Sequence, residues 1–250
     1  SGTSFGRFSV LLCRTRDISF GQKDNGDDYR RRFRKEIVMN YYSARPRIPM
    51  VVKNLIIINI IMFVFTFVSK EFMYETFSLF YVESPLFHPF QFISYMFMHG
   101  NFSHIFFNMF ALYMFGSVLE NIWGSKKFFI YYMVTGIGAA LVHEGVQYLQ
   151  VLSNPAELFH IMRIPTVGAS GSVFGLLLAY GMLFPNNIIS LIIPPISLKA
   201  KWFVLIYGAI EFFFGITGTN IGVAHFAHLG GMLFGILLIL YWKKKNRLYY

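Results

Sequence analysis

The first candidate for chemistry is Ser170, which lies in the glycine-flanked run of residues 168–171 (Gly-Ala-Ser-Gly). A serine hydroxyl becomes a nucleophile when a base lies within hydrogen-bond reach. The run alone does not establish this role, because glycines around a serine also allow apolar helices to pack closely. His228 is the candidate base, and two glycines follow it at residues 230–231. Together these residues would form the nucleophile and base that acyl transfer requires.

Small residues beside both candidates indicate how two helices could bring them together. They repeat at a spacing of four, as Gly171, Gly175 and Ala179 after the serine and as Gly231 and Gly235 after the histidine. Residues four apart share one helix face, and small side chains there let two backbones approach closely. His228 lies three residues before Gly231 and therefore on the same face. We expect the two helices to dock along these stripes and place Ser170 beside His228.

No carboxylate is placed to complete a triad, so we expect a Ser170–His228 dyad. Helix packing would then orient the base, which is the task of the aspartate in soluble serine proteases. Glu211 is an acidic residue in the middle of an apolar segment. Such residues usually mark function, and we interpret this one as a helix-bridging hydrogen-bond partner or as a member of a relay. His225, one turn before His228, is interpreted as a supporting or structural residue.

His104 and Asn108 lie four residues apart and therefore share a helix face. Both can donate hydrogen bonds to the oxyanion that forms during acyl transfer, and one such donor is worth about 10²–10³ in rate. We assign them this role, together with the backbone N–H of Ser170. The structural alternative for both residues is hydrogen bonding between helices.

A metal site is the main alternative use for the histidines. The residues that could in principle gather a zinc ion are His99, His104, His225 and His228. The sequence contains no H-E-x-x-H motif, and no carboxylate lies close to these positions. Cys13 is the only cysteine, which excludes an intrachain disulfide and a cysteine-based metal site. We therefore predict no metal and no cofactor.

The composition indicates a membrane protein with several spans. Of the 250 residues, 55% are hydrophobic and only 14% are charged, whereas soluble domains carry about 25% charged residues. The net charge is +10, but the basic residues stand in short clusters between long apolar stretches. Such clusters suit anionic lipid headgroups, whereas a nucleic-acid-binding domain would gather them on one soluble face. We predict the lipid bilayer as a partner and no nucleic acid.

Six apolar segments are each near the length that a helix needs to cross about 30 Å of hydrocarbon. They cover residues 51–68, 101–122, 128–147, 168–184, 202–218 and 224–242. Residues 69–100 are too irregular for another span and too apolar for a free loop, so we expect a structure half-embedded in one leaflet. His99 would hold this structure at the membrane surface. Residues 185–195 are expected to form a simple turn and connection.

The N-terminal residues 1–38 differ from the rest, because they are rich in charged residues and contain no long apolar run. We expect a disordered basic extension there, followed by one membrane domain over residues 39–250. Between the apolar segments, eleven Lys or Arg fall on the side of both termini, whereas only Lys70 and Arg163 fall on the other. Cytoplasmic loops are enriched in these residues, so both termini should be cytoplasmic. The second, fourth and sixth segments would then begin externally, at one depth.

Three motifs in this order identify a resemblance to a known family. They are His104-x-x-x-Asn108, Gly168-x-Ser170-Gly171 and Ala227-His228-x-Gly230-Gly231. Over about residues 50–242 the sequence resembles the rhomboid intramembrane serine proteases. The resemblance implies an all-α, six-helix membrane bundle with a water-filled cavity open to the outside. It also implies that Ser170 is the nucleophile, that His228 is the base and acid, and that the first motif stabilises the oxyanion.

The resemblance also concerns supporting residues. It implies structural hydrogen bonds for His99 and for Glu120, which by its place at the end of the second segment also suits a helix-bridging partner. Residues 69–100 would be the half-submerged first loop of the family. Its frequent Trp-Arg pair is replaced here by Phe90-Gln91, and Phe174 stands where some members have Tyr. An aromatic ring at that position could still pack beside the imidazole.

These observations predict an intramembrane serine endopeptidase that cleaves in or near the transmembrane helix of single-span substrates. A non-catalytic relative or membrane chaperone is the first alternative, and the intact Ser170 and His228 pair argues against it. A transporter is the second, and the sequence has no inverted repeats or paired intramembrane charges to support it. No organelle-targeting segment is evident, so we expect a bacterial inner membrane.

Overall fold

Apolar helices form most of the described chain. The computed structural model describes residues 48–190, 196–217 and 224–245, and these residues belong to one unit, Pro46–Tyr250. The predicted disordered extension over residues 1–38 lies outside the described residues, as does the predicted domain start near residue 39.

The helices follow one another with short connections. In chain order they are α1 (Met50–Val68), α2 (Lys70–Phe77), α3 (Gln91–Ser94), α4 (Phe102–Ala111), α5 (Ser117–Trp123), α6 (Ser125–Ser153), α7 (Leu158–Ile161), α8 (Ser170–Leu183), α9 (Ala200–Thr217) and α10 (His225–Lys244). A π-helical turn, Leu112–Gly116, joins α4 to α5. Single 3₁₀ turns lie at Tyr95–Phe97 and Pro155–Glu157.

Five of these stretches are long and apolar enough to cross a membrane. They are α1, the continuous stretch Phe102–Trp123, α6, α9 and α10. Helix α8 is as apolar but has only 14 residues, which gives about 21 Å and falls short of the hydrocarbon thickness. The predicted all-α, multi-span membrane architecture is confirmed, whereas the count of six spans remains a prediction.

Helix α8 lies in the centre of the bundle. It packs against both α6 and α10, and most of its side chains are buried. The outer helices instead expose large apolar side chains, such as Phe67 on α1 and Leu205 on α9, which are 76% and 60% exposed. Exposed apolar surface on this scale is expected where a helix faces lipid.

The predicted docking of α8 against α10 occurs at one pair of glycines. A Cβ atom on Gly231 would collide with the backbone carbonyl of Gly171, so the two backbones touch there. Both stripes also border α6. A Cβ on Gly175 would lie 2.7 Å from Thr135 Cβ, and one on Gly235 would collide with the hydroxyl of Tyr131 and lie 3.3 Å from Leu178 on α8. The expected docking of the stripes therefore occurs at Gly171 and Gly231, whereas Gly175 packs against α6.

The segment 69–100 is folded around the side-chain amide of Gln91, which is fully buried. Gln91 Oε1 accepts the N–H of Phe80 at 3.3 Å. Its Nε2 lies within 3.4 Å of three backbone carbonyl oxygens, those of Glu75, Thr76 and Leu86. The expected structure outside the spans is thus an ordered loop with two short helices, and Gln91 bridges its two halves.

We expect Gln91→Glu to destabilise this loop, because the substitution keeps the size and the acceptor but removes both N–H donors. Several buried carbonyl groups would lose their partner, and each such loss costs about 1–3 kcal/mol. A drop of several degrees in the thermal unfolding temperature in detergent should follow. The same substitution at the exposed Gln150 is the control and should leave that temperature unchanged. Equal unfolding temperatures for the two variants would contradict the role given to Gln91.

Glu120 fixes the start of α1 from a different helix. Its carboxylate oxygens accept the N–H groups of Val51 at 3.0 Å and Val52 at 2.8 Å. The hydroxyl of Ser125 donates to it at 2.6 Å. The first N–H groups of a helix have no partner within the helix and favour a negative charge. The structure therefore places Glu120 as a bridge between α1, α5 and α6.

A small β-ribbon corrects the expectation of a simple connection over residues 185–195. The strands β1 (Ile188–Ser190) and β2 (Ser197–Lys199) pair antiparallel. Their hydroxyls meet at one end, where Ser190 Oγ and Ser197 Oγ lie 2.8 Å apart. The ribbon joins α8 to α9, and residues 191–195 between its strands lie outside the described residues.

Candidate active site

Ser170 and His228, which lie on different helices, meet in the structure. Ser170 Oγ is 2.8 Å from His228 Nε2. The serine is the first residue of α8, and the loop before it is fixed by a hydrogen bond from Gly168 N–H to the carbonyl of Tyr95 at 2.9 Å. Gly168 has a φ of +129°, a conformation that glycine adopts readily. This turn presents the serine hydroxyl to the imidazole.

The ring of His228 is held from its flat side by Phe174, one turn after the serine. The two rings are stacked, with centroids 4.3 Å apart and an interplanar angle of 7°. His228 itself is buried and lies in the first turn of α10. The close contact of Gly171 and Gly231 brings these two helix starts together. Phe174 therefore packs beside the imidazole, as the sequence allowed.

A carboxylate contacts Nδ1 of His228, the ring nitrogen that does not face Ser170. The expectation that no carboxylate is placed to complete a triad is therefore wrong. Glu211 Oε2 is 2.8 Å from His228 Nδ1. The same oxygen is 2.7 Å from His225 Nδ1. Glu211 lies on α9, in the part of the helix that packs against α10. The three residues form a buried chain that ends at the Ser170 hydroxyl.

His104 faces the turn that carries Ser170. A Cβ atom on Gly168 would lie 2.7 Å from His104 Nε2 and 3.5 Å from Ser170 Oγ, so the imidazole borders the space in front of the serine. The N–H of Gly100 points at His104 Nδ1 with an N···N distance of 3.4 Å. An acceptor role for Nδ1 puts the proton on Nε2, which makes Nε2 a donor toward this space.

Asn108 lies one turn after His104 and is buried. Its Nδ2 donates to the carbonyl of His104 at 2.8 Å, which uses one of its two N–H groups. The backbone N–H groups in the first turn of α8 have no partner four residues earlier within the helix. Side-chain and backbone donors thus come from the starts of two helices, α4 and α8.

His99 lies inside the protein, with 1% of its surface exposed. Its ring packs edge-on against that of His104, with centroids 5.1 Å apart. Burial lowers the pKa of His99 to about 3, the neighbouring His104 adds to this effect, and the backbone of Phe97 opposes it. The ring is therefore uncharged at neutral pH. It supports His104 by packing.

Glu211, His225 and His228 also offer the atom types that bind metal ions. One ligand atom from each lies within 4.8 Å of the others. The two shortest contacts in this cluster, 2.7 and 2.8 Å, are hydrogen-bond distances between an imidazole nitrogen and a carboxylate oxygen. They match two N–H donors on one acceptor, and we interpret the cluster in that way.

The sequence did not indicate two further polar contacts around the site. His143 Nε2 lies 2.9 Å from the hydroxyl of Thr166, and Glu144 accepts the N–H of Val82 at 3.1 Å. Both residues lie on α6 and tie it to two neighbouring loops, one with Thr166 and one with Val82. The signal that could have found them is their position, since polar residues inside an apolar helix usually have a specific partner.

The chain is similar to known proteins of one family. The family model for the Rhomboid domain matches residues 87–245. The chain is 31% identical to "Rhomboid-like protein 11, chloroplastic" of Arabidopsis thaliana, in an alignment that covers 60% of this chain and 51% of that protein. It is 30% identical to "Rhomboid protease AarA" of Providencia stuartii, over 57% of this chain and 52% of that protein.

A third relative is "Rhomboid protein 1, mitochondrial" of Saccharomyces cerevisiae, which is 30% identical over 56% of this chain and 38% of its own length. The chain thus spans about half or less of the length of these curated relatives. Their names include a chloroplast and a mitochondrial protein, so the relatives do not support the predicted bacterial membrane over another compartment. The family match covers more than half of the chain, and its helices are long and apolar enough to span a membrane. The chain is an integral membrane protein of the rhomboid family.

Proposed function

We propose that this chain is an intramembrane serine endopeptidase, with Ser170 as nucleophile and His228 as general base. Its reaction is hydrolysis of peptide bonds in or near the transmembrane helices of membrane-protein substrates. The observation that carries the proposal is the 2.8 Å contact between Ser170 Oγ and His228 Nε2. A nucleophile hydrogen-bonded to a base is the arrangement that acyl transfer needs. One of the matched relatives is itself named a protease.

The first half of the reaction forms an acyl-enzyme. His228 Nε2 accepts the hydroxyl proton as Ser170 Oγ bonds to the substrate carbonyl carbon, and the electron pair of the C=O π bond moves to the oxygen. His228 then gives that proton to the nitrogen of the scissile bond. The C–N bond breaks, and the amine product leaves. In the second half, water attacks the acyl carbon and passes a proton to His228. The bond from that carbon to Ser170 Oγ then breaks, His228 returns the proton to Oγ, and the carboxylic acid product leaves.

The oxyanion of both tetrahedral intermediates would lie between α4 and α8. His104 Nε2 is a suitable donor because it borders the space in front of Ser170. The N–H of Ser170 and the remaining N–H of Asn108 are the further proposed donors. Their supply from two helix starts also places the positive ends of two helix dipoles near the developing charge.

The substrate must present an accessible carbonyl at this depth. Every carbonyl in a transmembrane helix is already hydrogen-bonded within the helix, so a substrate has to unwind locally before attack. We infer that preferred substrates are single-span proteins with small or helix-weakening residues near their outer membrane boundary. We also propose that both termini lie on the cytoplasmic side, as the distribution of Lys and Arg predicts.

The proposal is tested by cleavage of a single-span model substrate in liposomes. Wild type should cleave it, and Ser170→Ala should have no measurable activity. Ser172→Ala is the matched control, because Ser172 lies on the same helix turn but its hydroxyl donates to the carbonyl of Tyr132 at 2.7 Å. This control should stay active. Equal cleavage by wild type and Ser170→Ala would refute the proposal, and binding of substrate without cleavage by wild type would favour a chaperone.

A further inference from the structure

Glu211 places a carboxylate inside the helix bundle, where it is 9% exposed. An acidic side chain at membrane depth is costly unless it is paired, and a buried charge without partners is strongly destabilising. Here the partners are His225 and His228, whose Nδ1 atoms lie 2.7 and 2.8 Å from the same oxygen, Oε2. The cost of burying Glu211 is therefore offset by the two imidazoles, one of which is the proposed general base.

The shared oxygen limits where the protons can lie. A protonated carboxyl group carries one proton and could donate it to only one of the two Nδ1 atoms. An ionised carboxylate accepts from both imidazoles at once. A protonated group could still accept at Oε2 from the other Nδ1, so both forms satisfy the contacts. The form taken here is the ionised one, a carboxylate with two Nδ1–H donors, because it can also balance the charge of an imidazolium. In that arrangement His228 Nε2 carries a lone pair, and this is the nitrogen 2.8 Å from Ser170 Oγ.

The other neighbours of His228 do not determine which of its ring nitrogens carries the proton. Stacking on Phe174 fixes the plane of the ring, but it does not distinguish a proton on Nδ1 from one on Nε2. Two further titratable groups face the imidazole from other helices, namely His104 on α4 and His143 on α6. Neither is an anion, so neither can balance the charge of an imidazolium. Among the groups described around His228, Glu211 is the one that can both hold the proton on Nδ1 and balance the charge of the imidazolium.

We propose that Glu211 is a positioning residue that sets the Nδ1–H form of His228 and stabilises its imidazolium, and that His225 holds Glu211 in place. This proposal rests on the proposed function of Ser170 and His228 and extends the expected dyad to a Ser–His–Glu relay. Glu211 stays ionised throughout the reaction. The proton that leaves Ser170 travels only to His228 Nε2 and from there to the leaving amine.

The main alternative is a metal ion in the Glu211, His225 and His228 cluster. A metal on His228 Nδ1 would force the proton onto Nε2. Nε2 would then point a proton at Ser170 and could not accept one, so the enzyme would be inactive with the metal bound. The metal interpretation therefore predicts that chelation raises the cleavage rate. Under the relay, EDTA leaves the cleavage rate of the purified protein unchanged within about twofold.

The decisive variant is Glu211→Gln, which keeps the size of the side chain and removes its charge. The measurement is kcat and KM for the single-span substrate in liposomes, from pH 5 to pH 9. We expect kcat to fall about 10²–10³-fold at pH 7 with KM unchanged within about twofold, because orientation and charge balance act on the transition state. The acid limb of the rate profile should move to lower pH, because protonated His228 loses its counter-charge.

The matched control is Glu144→Gln, the same change at another buried glutamate, which contacts the backbone of Val82 instead of a histidine. It should keep the wild-type kcat and pH profile within about twofold. His225→Gln is a second test that leaves the carboxylate in place. Glu211 would then lose the imidazole contact from His225 and keep the one from His228. We expect kcat to fall about 3–10-fold, which is less than the fall for Glu211→Gln.

Each outcome decides a separate point. A kcat and acid limb for Glu211→Gln equal to those of Glu144→Gln would overturn the relay, although Ser170→Ala would still be inactive if the proposed function is right. Thermal unfolding shows whether Glu211→Gln folds. If it does not, His225→Gln tests the relay in its place, and a wild-type kcat for His225→Gln overturns the relay. A gain of activity with EDTA, reversed by added zinc, would also overturn it. Equal cleavage by wild type and Ser170→Ala would instead refute the proposed function.

Discussion

Replacing His228 by phenylalanine is expected to reduce substrate cleavage by at least about 10³-fold. The substitution preserves a flat ring that can stack on Phe174, and Glu211 keeps His225 as a partner, so the bundle should stay folded. It removes the nitrogen that lies 2.8 Å from Ser170 Oγ, and the hydroxyl would lose its base. KM should change little, because the loss concerns a proton transfer in the transition state rather than substrate binding.

The double variant, Ser170→Ala with His228→Phe, sharpens this prediction. Residues that act as one unit are not additive, so the double variant should be no less active than the more damaged single variant. His160→Ala is the control for loss of a histidine, because His160 is exposed on α7. Additive losses in the double variant would contradict a joint role for the two residues, as would a wild-type rate for His228→Phe.

Replacing Gly231 by valine is expected to have the largest effect on the fold of the site. The first atom of the new side chain would collide with the carbonyl of Gly171, and neither backbone can move aside without separating α8 from α10. Overpacking of this kind typically costs about 1–3 kcal/mol, and more where backbone is involved. The separation would also pull His228 away from Ser170. We therefore expect a lower thermal unfolding temperature in detergent and loss of cleavage together.

Gly145→Val provides the comparison, because a Cβ at Gly145 on α6 would meet no atom within 4 Å. Its unfolding temperature and its cleavage rate should stay close to those of wild type. The prediction for Gly231 would be wrong if Gly231→Val unfolded at the wild-type temperature and remained active. Such a result would mean that the two helices do not touch at this pair.

The main features of the site could be predicted from the sequence because local sequence patterns specify them. Apolar stretches of spanning length and the positions of the polar residues at their starts place Ser170, His228 and His104 at one end of the bundle. The first glycine of each stripe then brings two of these helices into contact, as the structure describes for Gly171 and Gly231.

The remaining contacts depend on how each helix is rotated about its axis. A uniformly apolar helix has no sequence pattern that predicts this rotation. Helix α8 is buried on nearly all sides, so no amphipathic pattern shows which neighbour each residue faces, and Gly175 was assigned to the wrong helix. The contact between Glu211 and His228 depends in the same way on how α9 is turned toward α10. In residues 69–100 no periodicity exists, and the role of Gln91 follows from a fold that sequence patterns do not specify.

The central claim is that Ser170 is an activated nucleophile, and covalent labelling tests it most directly. A fluorophosphonate probe bonds to a serine oxygen only when a base has raised the reactivity of that hydroxyl. After incubation of the purified protein in detergent, peptide mass spectrometry should find one adduct, on Ser170, and none in the His228→Phe variant. No adduct on the folded wild-type protein, or an adduct formed equally on Ser172, would contradict the account.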